Sequence, residues 1–258
     1  MTRRHHLFIA SPASGALGAH VARTLASGQK DLAKAGYGAA VLGPHRSGQI
    51  HLDAALIGQA ECGLFHFFGD ARARATRFAQ RLSAPVGRVV IQTLPYDQYY
   101  PMMWRQLAVT RALNPFAGAT TRLVERPRGW AQVIEDLHAA LQPQEIVVLP
   151  APVLVDEALA ALVPGARLDA RTPALADHSD SEIAMMQRLL RANVTLAPQQ
   201  MHRLSKFHAR QPQGAPLAGF DVLETMKLRQ RYSCDMDQIA AMARTRIGAD
   251  LEFAIAAQ

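Results

Sequence analysis

The sequence predicts a three-layer α/β/α domain with a mostly parallel central sheet. Three short apolar runs, two of them rich in β-branched residues, have the composition of buried strands. These runs are residues 6–11, 88–93 and 145–149. Segments with helical periodicity lie between them, and strands that alternate with helices along a chain form parallel sheets.

The first unit consists of a strand, a turn of small residues and a helix. Residues 6–11 lead through residues 12–15 into a helical segment over 16–35. Leucine and valine recur on one face of this segment, so that face should pack against the sheet. Gly36 should end the helix, because glycine readily adopts the left-handed conformation that follows a helix C-terminus.

Helices are also expected around the second and third strands. Residues 71–82 predict a helix before the second strand, and an aromatic turn over 95–101 leads from that strand into a helix that carries Trp104. Residues 130–141 predict an amphipathic helix before the third strand.

The C-terminal third is expected to be helical. Strand signals fade beyond Pro164, and three helices are predicted between segments rich in proline, glutamine and glycine, over 182–193, 199–207 and 219–242. We therefore expect one domain over 1–258, with an α/β core at 5–165 and a mainly helical part at 166–258.

Length and cysteine content point to a cytoplasmic protein. The chain has 258 residues, of which 49% are hydrophobic, so it can bury a sizeable core. No stretch approaches the roughly 20 apolar residues that span a bilayer, and the apolar run near the start is short. Cys62 and Cys234 lack the spacing of a disulfide framework or a zinc site. We expect no membrane association and no metal.

The net charge of +7 comes mainly from arginine and suggests an anionic partner. The planar guanidinium group suits phosphate and sulfate. An alternative explanation is the coding bias of a GC-rich genome, because the arginines are scattered along the chain. A nucleic-acid-binding protein is a further alternative, and it would require a contiguous basic face.

The turn after the first strand resembles a known anion-binding loop. Residues 12–17 read Pro-Ala-Ser-Gly-Ala-Leu, which is similar to the Pro-Lys-Ser-Gly-Thr-Thr loop that binds phosphosulfate in the sulfotransferases. The later segments 89–100, 104–106, 128–131 and 145–148 follow the order and spacing of bacterial sulfotransferase-like proteins. This resemblance covers roughly residues 5–165 and implies a P-loop NTPase-like sulfotransferase fold.

The resemblance also implies a donor site for the nucleotide PAPS, but several of its residues differ here. Ala13 stands in place of the lysine, and Ala16 and Leu17 in place of the two threonines. The arginine and the serine that hold the 3′-phosphate in the family correspond to Thr93 or Leu94 and to Pro101 or Met102. We therefore expect PAPS binding to be absent or very weak, and we expect no required cofactor.

The candidate site residues follow from the loop and from polar residues near it. A ligand would contact the loop and two arginines that could replace the missing cations, namely Ser11, Pro12, Ala13, Ser14, Gly15, Ala16, Leu17, Arg46 and Arg105. His45 and His20 are the candidate bases for sulfuryl transfer. Alternatively, His45 and Arg46 are solvated loop residues and His20 is a polar residue of the helix surface.

Other conspicuous side chains have simpler interpretations. His66 lies among phenylalanines and is interpreted as a packed core or lid residue. Asp97 is expected to cap the helix that follows it. The aromatic side chains could stack on a ligand, but their spacing favours packing at the junction of strand and helix. They are Tyr96, Tyr99, Tyr100 and Trp104.

Three functions are compatible with these observations. The favoured one is a degenerate sulfotransferase-like protein that keeps the scaffold and an anion or glycan pocket for binding or assembly. The first alternative is an active PAPS-dependent sulfotransferase that modifies a hydroxyl of a carbohydrate or small molecule. The second is the basic nucleic-acid-binding protein. The sequence does not indicate an oligomeric state.

Overall fold

The central sheet of the computed structural model is parallel throughout. The structure describes residues 4–11, 15–38, 40–42, 49–53, 55–169, 178–211 and 214–248. Within these residues the strands are β1 (His5–Ile9), β2 (Ala40–Leu42), β3 (Ile50–Leu52), β4 (Val86–Thr93), β5 (Glu145–Pro150) and β6 (Thr245–Ile247). Their spatial order is β2-β3-β1-β4-β5-β6, and each neighbouring pair is parallel. The expected parallel arrangement of β1, β4 and β5 is therefore confirmed.

Helices connect these strands and cover the sheet. They are α1 (Gly15–Ser27), α2 (Gln29–Lys34), α3 (Ala60–His66), α4 (Ala71–Ala79), α5 (Tyr96–Ala108), α6 (Thr120–Val124), α7 (Trp130–Leu141), α8 (Val155–Leu162), α9 (Asp180–Arg191), α10 (Pro198–Ala209) and α11 (Val222–Ala240), with a short 3-10 helix at Phe116–Ala119. Among the residues that the structure describes, none of these helices has the length and apolar character needed to cross a membrane.

The strands send alternate side chains into two separate cores, as the twofold periodicity of a β-strand requires. On β1, Leu7 and Ile9 join one core with α3, α4, α5, α7 and α11. Phe8, and Ala10 directly after the strand, join the other core with α1, α2 and α8. The sheet is thus buried on both faces, and the predicted three-layer α/β/α arrangement is confirmed.

The helix predicted over 16–35 is interrupted. This segment forms two helices, α1 and α2, with Gly28 between them. A Cβ on Gly28 would overlap the side chain of Leu168, so this position packs too closely for a larger residue. Gly36 has a φ of +84° and follows the C-cap residue of α2, as predicted. The helix predicted over 130–141 matches α7 in both of its bounds.

The expectation that strands end before the C-terminal third is wrong. The three helices predicted there are present as α9, α10 and α11. However, β6 follows α11 and pairs with β5, with Ile146 opposite Thr245. The three-residue strands β2 and β3 were not predicted either.

Candidate functional site

The carboxyl end of β1 lies where ligands commonly bind in this class of fold. β1 lies between β3 and β4 in the sheet. The chain continues from β1 towards β2 on one side, and from β4 towards β5 on the other. In open α/β sheets, ligands bind outside the carboxyl ends of strands whose connections leave in opposite directions. The residues that follow β1, Ala10 and Ser11, therefore mark the candidate site.

The start of α1 packs directly on this strand end. A Cβ on Gly18 would lie 3.0 Å from the Cβ of Ala10, which is closer than nearly all Cβ contacts in proteins. Glycine at this position lets the helix approach the strand. The first turn of α1 begins at Gly15, and N–H groups in a first helical turn have no partner within the helix. Together with the helix dipole, such groups attract anions.

Five of the predicted site residues lie outside the described residues. They are Pro12, Ala13, Ser14, His45 and Arg46. The roles of His45 as a base and of Arg46 as a replacement cation therefore stay predictions.

The predicted loop residues on either side of this gap have little side-chain chemistry to offer. Ser11 is buried and has partners within the protein. Ala16 is exposed, whereas Leu17 is buried in the core between the sheet and α1. Leu17 thus makes a core contact at a position where the resemblance would place a ligand-binding hydroxyl. At positions 16 and 17, only backbone groups are available for a ligand.

Gln92 adds a buried amide beside the same strand end. The register that pairs Ile9 with Ile91 continues to place Gln92 next to Ala10, on the face covered by α1. Its side chain is only 4% exposed, and its Oε1 has no hydrogen-bond partner in the described part of the chain. Buried polar atoms of folded proteins nearly always have a partner. An amide has two donors and one acceptor, so Gln92 can contact both an anion and a hydroxyl.

The residues at the end of β4 do not provide the cation that the resemblance would place there. Thr93 is fully buried, and its Oγ1 lies 2.9 Å from the hydroxyl of Tyr232. Leu94 is buried too, and its carbonyl accepts a hydrogen bond from the indole of Trp130 at 2.9 Å. Both residues are therefore engaged in packing rather than in contacts at the strand end.

Pro101 and Met102, the positions at which the resemblance would place a phosphate-binding serine, both lie within α5. Neither side chain has a hydroxyl. Neither side chain can therefore donate a hydrogen bond to a phosphate.

His20 is buried in α1, so the alternative of a helix-surface residue is wrong. Its Nδ1 lies 3.2 Å from Nη2 of Arg23, one turn further along the same helix. A guanidinium group has only donors, so the imidazole nitrogen accepts this hydrogen bond. Only Nε2 is left for a ligand or for proton transfer.

The guanidinium of Arg105 binds groups of the protein itself. It forms an ion pair with Asp180 of α9 and donates a second hydrogen bond to the carbonyl of His178. It also lies in the last turn of α5, about 13 Å along the helix axis from Tyr96, the first residue of this helix. The structure does not bring Arg105 together with the start of α1.

The four aromatic side chains after β4 pack in the core, as their spacing predicted. Tyr96, Tyr99 and Tyr100 are fully buried, and Trp104 is 6% exposed. Phe67 is in ring contact with each of the three tyrosines. These side chains hold α5 against the end of α3 and are not available to stack on a ligand at the strand end.

The interpretations of Asp97 as a helix cap and of His66 as a packed core residue are wrong. Asp97 does not cap α5 but lies in its first turn and accepts a hydrogen bond from Nε of Arg229 at 2.9 Å. Its side chain is buried because α11 covers it. His66 is the last residue of α3 and is exposed, while its neighbours Phe67 and Phe68 turn into the core with positive φ angles.

A buried polar cluster links the start of α5 to α7 and α11, and the sequence analysis missed it. Asp235 of α11 accepts hydrogen bonds from the Tyr96 hydroxyl and from the backbone N–H of Trp130. The carboxylate therefore caps α7, at the positive end of its helix dipole. Asp235 is in register with the buried residues Leu228 and Ile239 of α11, and this core-facing spacing of an acid was the available signal.

Burial and the Asp235 carboxylate raise the pKa of Tyr96 far above its ordinary value, so this hydroxyl stays a hydrogen-bond donor. The guanidinium of Arg231 lies over the Tyr96 ring, 4.4 Å from its centroid. Each charged group of the cluster thus has a protein partner. The arrangement joins helices rather than presenting a reactive group.

Comparison with known proteins gives no assignment: no protein-family model, curated protein or solved structure matches the chain. Within the described ranges, no three histidine, cysteine, aspartate or glutamate side chains are grouped so that they could hold a metal ion.

Proposed function

We propose that this protein binds a phosphate- or sulfate-bearing ligand at the carboxyl end of β1, on a P-loop-like scaffold similar to that of the sulfotransferases. The observation that carries the proposal is Gln92, a buried amide beside Ala10 and below the first turns of α1, whose oxygen has no hydrogen-bond partner among the described residues. Such an amide next to a helix N-terminus suits a ligand with both anionic and hydroxyl oxygens. A sulfated or phosphorylated sugar has both.

The two parts of the ligand would bind different groups of the protein. Its anionic oxygens would accept hydrogen bonds from backbone N–H groups in the first turn of α1. A neighbouring hydroxyl of the ligand would donate to Oε1 of Gln92. Because Ala13 replaces the lysine of the family, no side chain of the loop adds a positive charge, and we expect affinities in the millimolar range for a simple anion.

We further propose that the protein has lost PAPS-dependent sulfuryl transfer. This reaction needs a base for the acceptor hydroxyl and a cation beside the bridging oxygen. Thr93 and Leu94 are engaged in packing, and Arg105 is paired with Asp180. A hydrogen bond to a charged group contributes about 1.5 to 3 kcal/mol, so losing the lysine and the arginine should weaken donor binding by roughly two to four orders of magnitude.

A cytoplasmic location is part of the proposal. Cys62 and Cys234 are both free thiols. Free thiols persist in a reducing compartment, whereas secreted proteins commonly pair them.

The test is calorimetry with inorganic sulfate, glucose 6-sulfate and 3′-phosphoadenosine 5′-phosphate. We expect millimolar binding of sulfate, about tenfold tighter binding of the sugar sulfate, and no added affinity for the nucleotide. Gln92→Leu should remove the advantage of the sugar sulfate. Gln80→Leu, which changes an exposed glutamine of the surface, should leave it unchanged.

Two results would contradict the proposal. If neither sulfate nor the sugar sulfate binds, the site at β1 does not exist. If the nucleotide binds with micromolar affinity, the active sulfotransferase becomes the better interpretation, and Arg46 is the first residue to replace.

A further inference from the structure

A groove on the outside of the molecule has the volume of a ligand-binding site. It encloses about 1090 Å³ between α3, the end of α5 with the segment that follows it, α6 and the end of α9. Pockets for small organic ligands commonly measure about 300–1,000 Å³. The helices that form it cover the face of the sheet opposite to α1. The groove is therefore separate from the candidate site at the end of β1.

One wall of the groove is fixed by side chains of α9. The buried Gln187 donates hydrogen bonds to the carbonyls of Ala108 and Arg111, and its Oε1 accepts one from the N–H of Leu113. Arg191 donates to the carbonyl of Leu113 at 2.8 Å. These four bonds hold the segment after α5 in place, so the groove exists before any ligand binds.

The floor of the groove is aromatic and apolar. The indole N–H of Trp104 donates to the carbonyl of Asn114 at 3.2 Å, which fixes the orientation of the ring. Phe116 packs edge-on against Trp104, with 6.2 Å between the ring centroids. Leu64 and Phe65 of α3 complete this surface. Since the polar atom of Trp104 already has a partner, the floor suits the apolar part of a ligand.

The rim of the groove is positively charged. Arg122 and Arg191 line it, and none of the described lining residues is acidic. Within the described part of the chain, the guanidinium of Arg122 forms neither a hydrogen bond nor an ion pair. Burial is the largest cause of the lowered pKa of the nearby Arg126, and repulsion from Arg122 lowers it further, so these two guanidinium groups lie near each other.

We propose that this groove binds a small amphipathic anion. The alkyl or aryl body of the ligand lies over Trp104 and Phe116, and its sulfate, phosphate or carboxylate head contacts Arg122. The apolar floor supplies hydrophobic contact, and the arginine at the rim supplies a charge-assisted hydrogen bond. This inference does not depend on the function proposed for the end of β1.

The first experiment compares octyl sulfate, 1-octanol and methyl sulfate by tryptophan fluorescence and calorimetry. Trp104 lines the groove, whereas Trp130 is fully buried elsewhere in the core. We expect octyl sulfate to change the fluorescence saturably, and the Trp104→Phe variant to lose this change. Octanol should bind at least tenfold more weakly than octyl sulfate because it lacks the charge. Methyl sulfate should not change the fluorescence.

A second experiment fills the groove without disturbing the fold. A Cβ on Gly118, which lines the groove, would meet no atom within 4 Å. Gly118→Leu should therefore fold normally and abolish octyl sulfate binding. Gly214→Leu is the matched control, because Gly214 is equally open and does not line the groove. Unchanged binding in Gly118→Leu would overturn the proposal.

A third experiment tests the head-group contact. Arg122→Ala should weaken octyl sulfate binding by about ten- to a hundredfold and leave octanol binding unchanged. Arg203→Ala removes an exposed arginine of α10 and should affect neither ligand. Equal binding of octanol and octyl sulfate to the unmodified protein, or equal losses in the two arginine variants, would overturn the assignment of an anionic ligand.

Discussion

The hydroxyl of Tyr96 donates a hydrogen bond to the carboxylate of Asp235, two residues that are 139 positions apart in the chain. The same carboxylate accepts the backbone N–H of Trp130 at 2.8 Å. One acidic side chain of α11 thus ties together the first residue of α5 and the first residue of α7. Because the cluster is buried, each of its groups depends on the others for a hydrogen-bond partner.

Replacing Asp235 should therefore destabilise the fold. Asp235→Ala leaves the Tyr96 hydroxyl buried without its acceptor and leaves the Trp130 N–H with only the Tyr96 oxygen, which should lower the free energy of unfolding by about 2–4 kcal/mol. Urea unfolding followed by circular dichroism measures this loss. Asp237→Ala, at an exposed position of the same helix, is the control and should cost less than about 0.5 kcal/mol. Equal losses would show that the cluster does not stabilise the protein.

Gly129 should tolerate no side chain, because a Cβ there would overlap the Tyr96 hydroxyl and the Asp235 carboxylate. Gly129→Ala should lower the free energy of unfolding by about 2 kcal/mol or more. The cost of this alanine should be smaller in a Tyr96→Phe background, which removes one of the overlapping atoms. Gly118→Ala, where a Cβ meets nothing within 4 Å, should be nearly neutral. An alanine cost that is the same in both backgrounds would contradict the steric explanation.

Stability should fall as the pH decreases below about 6.5, in part because of His6. Burial lowers the pKa of His6, with smaller contributions from Arg88 and His5, although its hydrogen bond to the Leu162 carbonyl opposes the shift. The unfolded chain therefore takes up a proton at a higher pH than the folded protein does. The contribution of neutral His6 is present above pH 6.5 and is lost progressively below it.

The measurement is urea unfolding at several pH values between 7 and 5. In His6→Gln the free energy of unfolding should depend less steeply on pH, because glutamine does not titrate. His202→Gln, at an exposed position of α10, should keep the slope of the unmodified protein. An unchanged slope in His6→Gln would mean that this residue does not contribute to the acid sensitivity.

Restoring the loop should strengthen sulfate binding at the end of β1. Leu17 is buried, so the restoration is confined to Ala13→Lys combined with Ala16→Thr. One charge-assisted hydrogen bond should tighten sulfate binding by about ten- to a hundredfold in calorimetry. Ala19→Lys adds the same charge at an exposed position of α1, about one turn after Ala16, and should tighten sulfate binding less. Equal effects would indicate nonspecific attraction.

The fold class was predictable because its main signals are local. The runs that became β4 and β5 are rich in valine and isoleucine, and their composition alone indicates buried parallel strands. β2, β3 and β6 have three residues each, which is too short for a periodic pattern. Their positions depend on pairing with longer neighbours rather than on their own sequence.

The candidate site was predictable only in outline. The end of β1 and the start of α1 follow from an apolar run and a local pattern of small residues. The burial of Gln92 and the ion pair of Arg105 with Asp180 depend on contacts between segments that are distant in the sequence. No local sequence pattern predicts such contacts. For the same reason, the exposure of His66 could not be inferred from the phenylalanines around it.

The pairing of β5 with β6 has a consequence for how the chain is made. Ile146 of β5 pairs with Thr245 of β6, which is synthesised about one hundred residues later. β5 therefore lacks its outer neighbour while most of the C-terminal part is still being translated. During this time the backbone N–H and C=O groups on the outer side of β5, a strand rich in valine and isoleucine, have no partner strand. Such exposed strand edges pair with other chains and lead to aggregation. Fragments that stop before Thr245 should keep this edge permanently and should aggregate, even though their helices and the rest of the sheet could form.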